Sequence, residues 1–459
     1  MITLSKNNSQ LGTQKISTLL LKLSLPATIG MLVTALYNII DTIFVGQWVS
    51  LDAIGGLAIA FPIQMLIMAF AQMIGIGSAS VISRNLGENN IEKAEHVAGN
   101  SFLAISVLSI FFVTFGLAFT EPILKLFGAT TTLLPYAKDY ISIIFIGSIF
   151  FSFTVSSNNL VRAEGNAKVA MISMLLGAGL NILLDPIFIK VLNLGIKGAA
   201  LATIISQFAS FTYLLIYLFS GKSLLKVKLH HIKPKLSILK EIISMGLAPF
   251  SRQVAGSIVA IILNNSLKVY GGASVDLQIS ILGIINRITM MLYMPLFGIA
   301  QGLQPIVGFN YGAKNSGRIK EVIKLALITT TTLASLGFIV SQSIPELIMK
   351  IFNDDPQLTQ NGSVVLRIAV AMLPLIGLQM VGSTVFQSIG KALPALILSL
   401  SRQVLFFIPL VLILPRFMGI MGIWISFPIA DLSSAIVTGL MLKKELKNIP
   451  IDLKISSLL

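Results

Sequence analysis

STLLLKLSLPATIGMLVTALYNIIDTIFV, residues 17–45, decides the fold. Between Lys22 near its start and Asp41 near its end the run is apolar or weakly polar, and it exceeds the roughly 20 residues a helix needs to cross a bilayer. Eleven further runs of the same kind follow, at about residues 53–82, 97–120, 133–157, 168–190, 198–219, 242–269, 275–307, 320–342, 360–389, 392–414 and 419–442. Composition agrees: 55% of the chain is hydrophobic and 11% charged, where soluble proteins carry about 25% charged residues. The expected fold is all-α and integral to the membrane, with twelve transmembrane helices. Several runs are longer than a perpendicular crossing requires, which predicts tilt or kinks. Little chain remains outside the spans, so a separate ATPase or soluble catalytic module is excluded. The polar opening MITLSKNNSQLGTQK has no apolar core followed by a cleavage site and does not read as a signal peptide.

The net charge of +15 raises nucleic acid as a partner, and the placement of the charge decides against it. Of the 33 Lys and Arg residues, 22 fall on the side of the membrane that carries the amino terminus, 7 on the opposite side and 4 in or near spans. That bias makes the first side cytosolic and places both termini inside a cell membrane. The chain has no cysteine, so no disulfide, thiolate metal site or catalytic thiol is available, and its three histidines, His96, His230 and His231, fall in polar loops.

The sequence resembles itself at an offset of about 225 residues: SRNLGENNIEKAEHV (83–97) is echoed by GFNYGAKNSGRIKEVI (308–323), pairing Asn85 with Asn310 and Gly87 with Gly312. Gly165 pairs with Gly390, Gly195-Ile-Lys-Gly198 with Gly419-Ile-Met-Gly422, and Pro26 with Pro249. Six spans per repeat give both halves the same orientation. The expected domains are a first lobe (1–220), a basic cytosolic linker (221–240) and a second lobe (241–459). Two facing six-helix lobes are a transporter plan.

Three carboxylates fall inside spans, where burial costs several kcal/mol unless the group is paired, hydrated or protonated: Asp41, Asp185 and Asp431. Tyr37 lies one helical turn before Asp41, with Asn38 beside it, and Pro26 lies earlier in the same span, where it permits a kink. Asp185 has Asn181 one turn before it and Pro186 directly after it. Ser156, Ser157, Asn158 and Asn159 of the fourth span and Thr203 of the sixth complete an expected pocket of amides and carboxylates, suited to a proton relay or to Na⁺ held by oxygen. The alternative is that each aspartate fixes packing only. The repeat has lost these charges, with Asn264 and Pro409 near the matching positions. Asp431 is balanced between a structural ion pair with Arg252, Arg287 or Arg402 and a second polar site with Arg287.

These residues resemble a known family. The Pro26–Gly46 stretch, R-N-L-G-E-N-N after the second span, R-A-E-G-N-A-K before the fifth and L-N-I-L-L-D-P-I-F-I (180–189) look like multidrug and toxic compound extrusion (MATE) transporters, closest to the MepA/DinF-like branch. The resemblance covers essentially the whole chain. It implies a V-shaped pair of six-helix bundles that exports cationic or amphipathic organic compounds in exchange for H⁺ or Na⁺, as a monomer without a cofactor. Carried over by position, Asp41, Asn181, Asp185 and Thr203 become the ion site and the Na⁺ ligands if sodium is the coupling ion. Tyr37, Asn158 and Tyr140 form the surrounding network, and Pro26 is the hinge. No acid stands in spans 7 and 10, consistent with this branch.

The rival class, a lipid or lipid-linked oligosaccharide flippase of a related two-lobe family, calls for a wide cationic cavity and often extra helices. Here central basic residues are few, chiefly Arg252, Arg287 and Arg402. An intramembrane enzyme needs a nucleophile and base or a metal at membrane depth, and no span offers His or Cys.

Overall fold

The computed structural model describes residues 6–352 and 354–449, and its regular elements are all helical among those residues. A short helix, Lys6–Thr13, precedes the spans. The first lobe comprises α1 (Ile16–Trp48), α2 (Leu51–Gly87), α3 (Ile91–Ala118), α4 (Leu134–Ala163), α5 (Ala167–Pro186, continued by a π-helical turn, Ile187–Val191) and α6 (Gly195–Phe219). After the linker come α7 (Leu236–Tyr270), α8 (Val275–Gly312) and α9 (Ser316–Ser343). Then follow α10 (Pro356–Ala369 and Leu373–Ser388), α11 (Ala392–Met418) and α12 (Ile420–Asn448).

Eleven of these helices are each long and apolar enough to cross a membrane, and α10 completes the twelve as a pair of half-helices bent by 46°. The expected tenth span was a single run. Pro374 breaks it: lacking an N–H and crowding the residue before it, it starts a new helix within the span.

The internal repeat extends to backbone detail. The left-handed residues Asn89 (φ 62°) and Lys314 (φ 56°) occupy matching turns, as do Gly165 (φ 84°) and Gly390 (φ 85°), and Gly195 (φ 56°) and Gly419 (φ 57°). Asn90 and Asn315 cap the helices that follow, each accepting a backbone N–H three residues on. Asn85 and Asn310 each donate to a carbonyl one turn back at 2.8 Å.

The lobes meet through α2 against α7 and α8, and through α1 against α8. The closest approaches lie toward the face from which α1 rises. A Cβ on Gly87 would stand 1.9 Å from the Phe309 carbonyl oxygen, and one on Gly312 would stand 2.0 Å from that of Arg84, a reciprocal pair across the pseudo-twofold axis. Gly246 would meet the Met73 carbonyl at 1.9 Å in the same way. Only glycine admits backbones this close. Polar contacts lock the seam further. Arg84 Nη2 donates to Glu241 Oε1 at 3.0 Å, Lys93 pairs with Glu241 Oε2 at 3.4 Å, and Ser80 donates to the Gln387 carbonyl at 2.5 Å. Away from this face the helices diverge into a V, and the polar faces of α1 (Asn38, Thr42) and α7 (Ser257, Asn264) are exposed.

Candidate ion-coupling site

Asp185 ends α5. Because Pro186 has no N–H to continue the i to i−4 ladder, the chain passes into π-helical geometry, closed by Leu192 N–H donating to the Ile187 carbonyl at 2.8 Å. Asn181, one turn earlier, presents its side chain on the same face. Its Nδ2 donates to Asp185 Oδ1 at 3.2 Å and lies 3.4 Å from Thr203 Oγ1 of α6. From α1, Asp41 brings its carboxyl group close enough to that of Asp185 for the two to interact. Asp41 is 8% exposed and Asp185 fully buried.

Two carboxyl groups this near one another repel when both are ionised, so a cation or a proton is needed between them. Three oxygens of the cluster, Asp41 Oδ1, Asp185 Oδ2 and Asn181 Oδ1, are buried without a hydrogen-bond partner. The arrangement therefore offers two neighbouring carboxyl groups with free acceptor oxygens, able to take up a proton or a small cation.

Tyr37 is close enough to both aspartates for their charges to act on it, and so is Tyr140, whose hydroxyl accepts from Gln64 Nε2 of α2 at 3.2 Å. Gln64 was missed in the sequence because a single amide in an apolar run looks like packing; its place opposite the fourth span is a tertiary fact. Asn158 is not brought to the cluster. It lies 18 residues beyond Tyr140 on α4, about 27 Å along the axis, and its Oδ1 is unpartnered. The neighbouring Ser156 contacts Ser101 of α3 at 3.0 Å, and Asn159 packs under Gly75 of α2. The polar run 156–159 thus serves the lower half of the lobe and not the aspartates. Pro26 lies within an unbroken α1, whose turn there is reinforced by Thr28 Oγ1 donating to the Ser24 carbonyl at 3.0 Å.

In the second lobe, Asp431 forms a buried ion pair with Arg402, whose Nη2 donates to Tyr293 at 3.1 Å, while Gln379 donates to the Asp431 carbonyl at 2.7 Å. The proposed pairing with Arg287 is corrected: Arg287 sits exposed on α8, away from this pair. Arg402 lies in the π-helical segment Ser401–Phe407, so each lobe sets an acidic group against a π-helical stretch, as a carboxyl pair in one and a salt bridge in the other. The histidines also depart from expectation. His96 is in α3, not in a loop, and its ring centroid is 4.7 Å from that of buried His231 in the linker, which lies 3.9 Å from His230.

The MatE family model matches residues 26–187 and 258–413, one segment in each lobe. A MATE multidrug transporter, DinF-BH, solved as a complex, is 43% identical, with 95% of this chain and 97% of that chain aligned at a TM-score of 0.88. A MATE structure in the bent conformation is 27% identical over 97% of this chain and 98% of that one, at a TM-score of 0.91. The multidrug export protein MepA of Staphylococcus haemolyticus is 28% identical over 408 residues, 89% of each chain. With both lobes matched in sequence and the whole helical arrangement matched in space, the chain belongs to the MatE family of membrane transporters.

Proposed function

We propose that the protein exports cationic or amphipathic organic compounds across the cell membrane in exchange for protons, with the coupling site in lobe 1–220, a cytosolic linker at 221–240 and a moving partner lobe at 241–459. The buried, neighbouring Asp41 and Asp185 carboxyl groups carry the reading, because such a pair binds and releases a proton as its two helices approach and part. The names of the MepA and DinF-BH relatives support multidrug export, and the 22 to 7 basic bias supports a cytosolic seam and cytosolic termini. A proton taken up from outside neutralises the pair, lets α1 settle against α5, and narrows the space between the lobes until substrate leaves outward. Opening toward the cytosol returns the proton. Each charge moved inward contributes about 2.3 kcal/mol per 100 mV, so an ordinary gradient drives export.

Sodium is the second reading, favoured by the three unpartnered oxygens, which are hard ligands for such an ion. Dye efflux from proteoliposomes under separately imposed pH and Na⁺ gradients decides. We expect a pH gradient alone to suffice; transport driven only by Na⁺ establishes the second reading, and transport driven by neither overturns coupling.

A further inference from the structure

Arg162 sits in the last turn of α4, and its Nη1 crosses the seam between the lobes to Gln301 Oε1 of α8 at 2.5 Å. Its Nε is shut off from solvent and makes no hydrogen bond. Among the described residues no carboxylate lies within ion-pair distance of the guanidinium. Glu164, two residues away, turns instead to Ser223 Oγ and the Leu224 N–H of the linker. The helix C-terminus does not compensate it either, since the carbonyls of Leu160, Val161 and Arg162 accept the backbone N–H groups of Glu164, Asn166 and Gly165. A half-buried cation whose Nε is shut off from solvent without a partner is costly unless a negative partner meets it.

The repeat shows that the charge is not needed to hold the seam. Counting from the paired glycines 165 and 390, the twin of Arg162 is Gln387, which likewise crosses to the other lobe, donating to the Met245 carbonyl of α7 at 3.1 Å. A neutral amide performs the bridging there. Beside Arg162 lies a cavity of about 10 Å³, room for one water or one monatomic ion, lined by Asn159 from the first lobe and by Gln301 and Gln304 from the second. Gln304 Nε2 spends one hydrogen on the Ile76 carbonyl and Asn159 Nδ2 one on that of Val155, and each amide nitrogen carries a second.

We propose that this cavity is a site for a small monatomic anion, chloride under cellular conditions, held by Arg162 with amide hydrogens from both lobes. Because the site is completed by residues of both lobes, the anion favours the state in which they are closed at this face. Larger anions do not fit.

The test uses the full chain purified in detergent and its thermal unfolding at constant ionic strength while gluconate is replaced by chloride, bromide or sulfate. Chloride and bromide should raise Tm saturably, and sulfate should act like gluconate. Arg162→Gln, which copies the twin, should lose the halide response, whereas Gln387→Ala should keep it. Bromide crystals should show an anomalous peak beside Arg162, a readout that does not depend on the variant folding. Equal Tm in all four salts, the outcome expected if water alone fills the cavity, overturns the proposal. So does an undiminished halide response in Arg162→Gln. No result here depends on transport, so the coupling reading stands or falls separately.

Discussion

Single side chains set the chemistry of each lobe. Asp41→Asn and Asp185→Asn each remove one titrating member of the pair while keeping its shape, and both should abolish efflux of a cationic dye from cells at unchanged expression; normal efflux in either variant removes that residue from the coupling step. Arg402 and Asp431 behave differently. Arg402→Met leaves a buried carboxylate unpaired and should lower stability by about 3–5 kcal/mol, while adding Asp431→Leu should recover most of the loss, read as Tm in detergent. A double variant no more stable than the single would mean that the pair does more than hold the lobe. The acids in this site were legible from the sequence because carboxylates are so rare in the spans. Their proximity was not, since Asp41 and Asp185 lie on helices far apart in the chain.

At the scale of elements, α1 and the linker are the parts whose behaviour can be measured alone. If α1 bends at Pro26, Pro26→Ala restores the missing N–H and should slow transport strongly while leaving the Asp41–Asp185 pair intact; unchanged turnover shows that the proline is not the hinge. The linker is docked at one end by Glu164, whose carboxyl group burial pushes up to about 7, and at the other by His231, whose imidazole burial pushes down. The His231 ring faces His230 and Lys228 of the linker and Glu95 and His96 of α3, with Glu95 Oε2 at 3.5 Å from Nε2. The signs oppose. Glu164 is raised, so its contribution is complete below the ordinary value of 4.5 and is lost as pH rises through about 7. His231 is lowered, so its contribution is complete above the ordinary value of 6.5 and fades as pH falls below it. Hydrogen-exchange protection of residues 222–235 should therefore fall on the acid side in a way that His231→Gln suppresses, and on the alkaline side in a way that Glu164→Gln suppresses. Protection that ignores pH in the unaltered protein would show that neither group governs docking. All three histidines were visible as residues, but their convergence depends on the linker folding back onto α3, with Asn100 accepting the Lys235 N–H at 2.9 Å.

For the whole molecule, the seam of glycines is where the two lobes approach most closely. Gly87→Leu would place a side chain where the Phe309 backbone stands, so it should hold the lobes apart at this face. The absence of cysteine makes this directly measurable: spin labels at Lys168→Cys and Lys324→Cys, one on each lobe, should report a longer mean distance in Gly87→Leu than in the otherwise unaltered chain, and an unchanged distance would mean that closure does not need this contact. By itself the sequence determined the membrane class, the twelve spans, the repeat and the two acids of the first lobe, because hydropathy, basic bias and the scarcity of charge are local properties, readable wherever the chain meets lipid. Only the tertiary structure decided that Asp41 lies near Asp185, that Asn158 stands about five turns away along its helix, that Asp431 belongs to Arg402, and that Arg162 is left without a counter-charge. Each of these depends on which helices pack together and at what depth, and a one-dimensional pattern of apolar runs does not encode depth or neighbour.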